Sequence, residues 1–270
     1  MTRRGQLGLF FGQTCRRREE YQKMIRLVQL RVAWGLPNVS PACMKLETWL
    51  RMTGIPYEVP PVLDLANAPK GKVPYIVEED GSRMGDSALI IEHLKAKTGK
   101  DPDAHLNAEQ RAISTAFRRM MKENFYWVIV QGRYKDEQNW KTYRPVMAAL
   151  LDGVPDEQRL MVCDMYKQRM EGQMYGHGMG RHTAKEVHLL GIADLKAVSD
   201  YLADKPYFMG EEPTTVDATV YSHIANLLQV PLNCPVKDFG LSRKNLVDYL
   251  DRMESRYFPE FKQKRASSAA

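Results

Sequence analysis

Residues 72–87 read KVPYIVEEDGSRMGDS. Val73 to Val77 is apolar enough for a buried strand, Glu79-Asp80-Gly81-Ser82 is a hairpin turn, and Asp86-Ser87 carries the acceptor side chains that open a helix. The hairpin implies a return strand between the turn and Asp86. Proline sits in a strand only at its first residue, at an edge or at a bulge. A cis Val73–Pro74 bond is one way to seat it, although most X-Pro bonds are trans. The helix opened by Asp86 runs to Gly99, a typical stop.

Working back toward the N-terminus, residues 55–59 form a short strand before a proline-rich turn. Ser40-Pro41 is a helix start, with serine as the cap and proline at the first helical position. That helix passes through Met44, Leu46, Trp49 and Leu50 to Gly54. Near-alternate apolar residues over 27–34 suggest a first strand, broken by Gly35 to Asn38. The order over residues 25–99 is strand, helix, strand, loop, strand, strand, helix, an α/β unit. Beyond a polar linker at 100–106 the periodicity is helical throughout. Asn107-x-x-Gln110, Thr183-x-x-Glu186 and Thr214-x-x-Asp217 are capping boxes. Helices are expected from 107 through 128 and over 140–150, 155–171, 184–202, 216–228 and 245–256. The second domain, 107–260, is therefore all-helical, with disordered segments at 1–24 and 261–270.

Charge and cysteines exclude several function classes. The net charge is +6, but residues 1–24 supply +4 of it. The near-neutral body argues against a nucleic-acid partner. The extension is Arg-rich and its apolar patch at 9–11 is shorter than the ~7–15 residues of a secretory core. It also lacks serine, so it reads as unstructured chain, or as an upstream start ahead of Met24, rather than as a transit peptide. No apolar run approaches the ~20 residues of a transmembrane helix; the longest, at 128–130, stops at Gln131 and Arg133. Cys15, Cys43, Cys163 and Cys234 share no C-x-x-C spacing. Free thiols in a reducing cytoplasm fit them better than disulfides or a zinc site, and no metal is expected.

Three features of the first domain carry candidate chemistry. Ser40 stands where a helix N-terminus offers unsatisfied amides and positive dipole, so its hydroxyl is either a plain cap or a donor to a bound thiolate. Pro74 opens a strand. Asp86 is either a cap or, with Ser87 and the helix amides, a binding site for a charged group. In the second domain, Gly176-His177-Gly178-Met179-Gly180-Arg181-His182 has three glycines within five residues and reads as a tight turn. There Arg181 is a candidate anion ligand and His182 a candidate proton-transfer group, against the plainer reading of solvated turn residues. Met120, Met121, Tyr126, Trp127, Tyr134 and Trp140 form a soft aromatic stripe, mostly core, part of it suited to an apolar cleft.

Ser40-x-x-Cys43, Lys72-Val73-Pro74 and Asp86-Ser87, in that order and spacing, resemble the glutathione site of serine-type glutathione transferases. That fold joins a thioredoxin-like N-terminal domain, here 25–99, to an all-helical C-terminal domain. The segments 35–48 and 175–182 resemble the branch that holds failed-axon-connections proteins and metaxins. The resemblance implies that Ser40 donates to the glutathione thiolate and that Val73 pairs with the cysteinyl unit beside a cis Pro74. It further implies that Asp86 and Ser87 hold the γ-glutamyl end and Lys72 meets the glycyl carboxylate. Cys43 matches the second cysteine of a thioredoxin pair whose first is replaced by Ser40, so dithiol redox chemistry is not available from it. The expected function is a cytoplasmic, homodimeric glutathione-dependent transferase or lyase acting on a small electrophile, with glutathione as cosubstrate. The alternative is a non-catalytic, metaxin-like assembly protein of the same fold.

Overall fold

The computed structural model describes residues 24–151 and 153–263. The basic extension apart from Met24, Cys15, and the tail from residue 264 onward lie outside them. Four strands form one sheet in the order β2-β1-β3-β4: β1 (Ile25–Val28), β2 (Tyr57–Glu58), β3 (Tyr75–Val77) and β4 (Arg83–Gly85). β2 runs parallel to β1, which requires a crossover, and α1 (Pro41–Thr53) supplies it. β3 pairs antiparallel with β1, Leu27 opposite Ile76, and β4 antiparallel with β3, Ile76 opposite Met84. α2 (Ser87–Thr98) follows, capped by Asp86 and closed by Gly99 in the left-handed region.

The rest is helical. α3 (Ala108–Arg119) opens on the Asn107/Gln110 capping box and runs on without a break through π-helical turns at Met120–Phe125 and Gln131–Lys135, which flank α4 (Tyr126–Val130). Then come α5 (Glu137–Ala149), α6 (Asp156–His177), a 3₁₀ turn at Met179–Arg181, α7 (Ala184–Leu202), α8 (Thr215–Leu228), α9 (Pro235–Leu241) and α10 (Lys244–Tyr257). No helix among the described residues is long and apolar enough to cross a membrane.

All of α8 is buried, and α1 packs directly on it. Sandwiched between the sheet and α8, α1 loses even Lys45 and Glu47 to the interior. Ala218 of α8 joins the core formed by Leu27, Leu46, Trp49, Ile76 and Ile90, while Leu36 and Met44 join the helical core around Phe125, Val128 and Tyr221. The two halves therefore share their apolar contact, which ties Ser40 at the start of α1 to the helical half.

Three sequence expectations need correction. The first strand was expected over 27–34 but spans Ile25–Val28. Beyond it Asn38 Nδ2 donates to the Leu30 carbonyl (2.6 Å), so the ladder ends, and the Gln29 side chain turns to Glu47 (2.7 Å). The helix expected to stop at 171 continues to His177, because Gly172 and Gly176 only weaken a helix. The tight turn is thus shorter than expected: Gly178 takes φ +107, and a Cβ on Gly180 would lie 2.6 Å from the Tyr175 amide nitrogen. The short helix α9 was not anticipated.

Candidate functional site

The sheet register assembles the site. Val28 lies opposite Tyr75, and Tyr75 opposite Gly85. The chain leaving β1 toward Ser40, the Val73–Pro74 step into β3, and Asp86 just after β4 therefore meet at one end of the sheet. The Val73–Pro74 bond is cis. Ser40 is extended (φ −101, ψ 118), and its hydroxyl oxygen accepts from the Cys43 amide at 3.4 Å. That is a long hydrogen bond, so the cap is loosely made. Cys43 is fully buried, and desolvation lifts its thiol to about 11 despite the Ser40 hydrogen bond. It is a packed thiol.

Asp86 adopts φ +77, a region that disfavours any side chain bearing Cβ. Its Oδ1 accepts from the Ala88 amide at 2.8 Å and the Leu89 amide at 3.3 Å, and Lys122 Nζ approaches Oδ2 at 3.1 Å. Burial works against the charge, but these donors outweigh it and hold the carboxyl below its usual range. Ser87 is buried beside it. Lys72 Nζ donates to Gln173 Oε1 of α6 at 2.8 Å, and burial and then Arg169 lower its pKa.

Lys122 lies in the first π-helical turn and Arg133 in the second. Such turns shift the helix phase by a residue and recur at functional sites. Here each presents a cation to the sheet unit: Lys122 to Asp86, and Arg133 Nη1 to the Val39 carbonyl, one residue before Ser40. An aromatic wall adjoins this end. Arg133 lies 5.3 Å over the Tyr143 ring, Tyr143 packs 5.4 Å from Trp34 and 5.5 Å from Tyr134, and Tyr134 meets Tyr166 at 6.0 Å.

The remaining candidates sit apart. Arg181 is exposed, 5.2 Å over the Tyr175 ring, and His182 Nδ1 lies 3.8 Å from Glu186. Both partners belong to the helical half, and the structure does not bring Arg181 or His182 into contact with Ser40 or Asp86.

A model of the glutathione S-transferase N-terminal domain matches residues 41–139, and one of the glutathione S-transferase C-terminal domain matches 191–253. The isoprene-epoxide–glutathione S-transferase of Rhodococcus sp. (strain AD45) is 38% identical over 230 residues, covering 83% of this chain and 95% of that protein. The chain belongs to the glutathione S-transferase family. Failed axon connections of Drosophila melanogaster is 34% identical over 84% of this transferase-family chain and 56% of its own length, and Metaxin-1 of Mus musculus is 27% identical over 84% and 73%. A glutathione S-transferase from Methylobacterium radiotolerans, solved with glutathione sulfonate, shares the fold: TM-score 0.56, 15% identity, 89% of this chain and 93% of that one.

Sequence reading missed Lys45, Lys122, Arg133 and Asn226. Lys45 is 4% exposed. Burial, then Lys122 and Arg118, push its ammonium down to about 7, with Asp86 opposing. The depressed value means that folding favours the neutral amine, so this group's contribution grows as pH rises from about 7 to 10.5. Lys45→Met is expected to raise unfolding free energy at pH 7 by about 2–4 kcal/mol and to flatten that rise. Denaturant midpoints at pH 7 and near the top of the window measure both. A variant less stable than wild type at pH 7 would show that the ammonium is well paired.

Proposed function

We propose that this chain is a glutathione-dependent transferase or lyase, a cytoplasmic homodimer in which residues 25–99 bind glutathione and 107–260 the electrophile. Glutathione is a substrate here, and the donor set fits it. The observation that carries the reading is the convergence of Ser40, the cis Val73–Pro74 step and Asp86 at one end of the sheet. A tripeptide with an ammonium, two carboxylates and a thiol needs a carboxylate, cations, an open stretch of backbone and a hydroxyl donor, for which Asp86, Lys72, the Val73 backbone ahead of β3 and Ser40 are the candidates. Asp86 would meet the ammonium, Ser87 and the first amides of α2 the γ-glutamyl carboxylate, Val73 the cysteinyl unit, and Lys72 the glycyl carboxylate. Ser40 would donate to the sulfur and favour its ionised form, which is the nucleophile. The aromatic wall of Trp34, Tyr134, Tyr143 and Tyr166 suits a small apolar electrophile held against that sulfur. An epoxide, as in the name of the Rhodococcus relative, is the first to test. Arg181 and His182 would act on the electrophile only if their turn moves inward.

One observation favours the second reading, a glutathione-transferase-fold assembly protein. Asp86 is already engaged by Lys122, so a ligand ammonium must share or displace it. Calorimetric titration of glutathione separates the two. Binding in the micromolar-to-millimolar range is expected, weakened about tenfold or more in Asp86→Ala through loss of a charged hydrogen bond. No heat from folded wild-type protein would overturn the enzyme reading and turn the search to protein partners.

A further inference from the structure

Arg133 is 4% exposed, and among the described residues no carboxylate pairs with it. A buried cation without a counter-ion is costly unless its donors are well satisfied. Its two Nη groups go to carbonyl oxygens, Nη1 to Val39 O and Nη2 to Asn226 O at 2.9 Å and Asn226 Oδ1 at 2.8 Å, while Nε is buried without a hydrogen-bond partner. Asn226, on α8 and 1% exposed, donates through Nδ2 to Asn38 O at 3.1 Å. Asn38, fully buried, accepts from the Ser40 amide through Oδ1 at 2.9 Å and donates to Leu30 O at 2.6 Å. The two carbonyls of Asn38 and Val39 are thus gripped from α8 and from the second π-helical turn, across sequence separations of 188 and 94 residues, while the Ser40 amide is held from within by the Asn38 side chain. Apolar residues would pack these positions as well, and a surface loop would leave its carbonyls to water.

The geometry points to Arg133 and Asn226 as positioning residues for Ser40: they clamp the Asn38 and Val39 carbonyls so that the Ser40 hydroxyl faces the glutathione sulfur. The role rests on the glutathione-transferase reading above, and it makes thiolate activation depend on how the helical half is packed. Neither side chain touches the substrate in this scheme. Arg133 acts through Val39, and Asn226 through Asn38. The loose 3.4 Å cap between Ser40 and Cys43 fits, because Ser40 is held by its backbone and not by its own hydroxyl.

Arg133→Lys keeps the charge but cannot bridge Val39 and Asn226 together. Asn226→Ser keeps Arg133 and removes the amide that reaches Asn38, so it carries the same test should Arg133→Lys not fold. Two readouts apply. In ligand-free protein, hydrogen exchange at the Ser40, Cys43 and Met44 amides should quicken about tenfold or more, while the Ala88 and Leu89 amides held by Asp86 keep their wild-type rates. In the glutathione complex, the ultraviolet absorbance of the thiolate should titrate about one pH unit higher, with affinity within about threefold of wild type. Asn245→Ala, which cuts the Ser199–Asn245 pairing between α7 and α10, is the control for general loosening and should change neither. Wild-type exchange over 38–44 in folded variants, or a thiolate titrating at its wild-type pH, overturns the inference. If wild-type protein binds no glutathione, the functional reading falls, and the exchange contrast alone decides whether the clamp exists.

Discussion

Asp217→Ala is expected to lower the unfolding free energy by about 3–5 kcal/mol, a large part of what holds a protein of this kind together. The carboxylate is buried at the start of α8, the helix on which both cores lean. It accepts from four donors: the Phe208 amide at 2.8 Å, the Thr214 amide at 2.7 Å, the Thr214 hydroxyl at 3.0 Å and the Tyr249 hydroxyl at 3.1 Å. Phe208, Thr214 and Tyr249 are themselves fully buried, so alanine would strand the Phe208 and Thr214 donors away from water and leave the Tyr249 hydroxyl only the residue-217 carbonyl at 3.2 Å. Each stranded group costs about 1–3 kcal/mol. Asp217→Asn should recover little, because its amide would present a donor where only donors wait. Equilibrium denaturation of wild type and both variants tests this. A loss under about 1 kcal/mol for alanine would mean that water or a shifted side chain satisfies the site.

Asp217 was legible as a cap from Thr214-x-x-Asp217 alone, and the other caps follow the same pattern. Ser40-Pro41, Asp86-Ser87, Asn107/Gln110 and Thr183/Glu186 all open helices where the sequence places them. A cap is a bond between residues two or three apart, so its whole cause lies within a short window. The first strand was misread for the opposite reason. Alternation over 27–34 is a local signal, but the Asn38 side chain claims the Leu30 carbonyl that would extend the ladder. The family resemblance was legible too, because Ser40, Pro74 and Asp86 each sit at the start of an element.

What brings those three under the control of the helical half was not legible. Lys122 reaches Asp86 across 36 residues, Arg133 reaches Val39 across 94, and Asn226 reaches Asn38 across 188. In the sequence, Arg133 served only as a charge that ends the apolar run at 128–130. In the structure it is buried. Nothing in helical periodicity announces a π-helical turn, and the two turns are what bring Lys122 and Arg133 round to the sheet. Arg181 and His182 lie on a turn whose glycine has a packing cause of its own. Gly180 is required because α6 runs within 2.6 Å of where its Cβ would be.

Ser40→Ala is expected to lower kcat/KM with glutathione and a reactive electrophile by about 10²–10³-fold, most of it in kcat. Under the proposed function the hydroxyl would contribute in two ways, which experiment can tell apart. As a helix cap its loss costs about 0.5–2 kcal/mol of stability, and the 3.4 Å separation from the Cys43 amide puts this case at the low end. As a donor to sulfur its loss raises the thiolate pKa and removes a hydrogen bond that strengthens as charge gathers on sulfur before attack. A capping role alone would shift the melting temperature and leave the rate of folded enzyme unchanged. A donor role would leave the fold nearly untouched, keep glutathione affinity within a few-fold through Asp86, Val73 and Lys72, and move the pH–rate profile upward. Ser40→Cys or Ser40→Thr, each keeping a donor at the same position, should recover part of the rate where alanine cannot. A folded Ser40→Ala enzyme with kcat/KM within about threefold of wild type would assign thiolate activation to the amides at the start of α1.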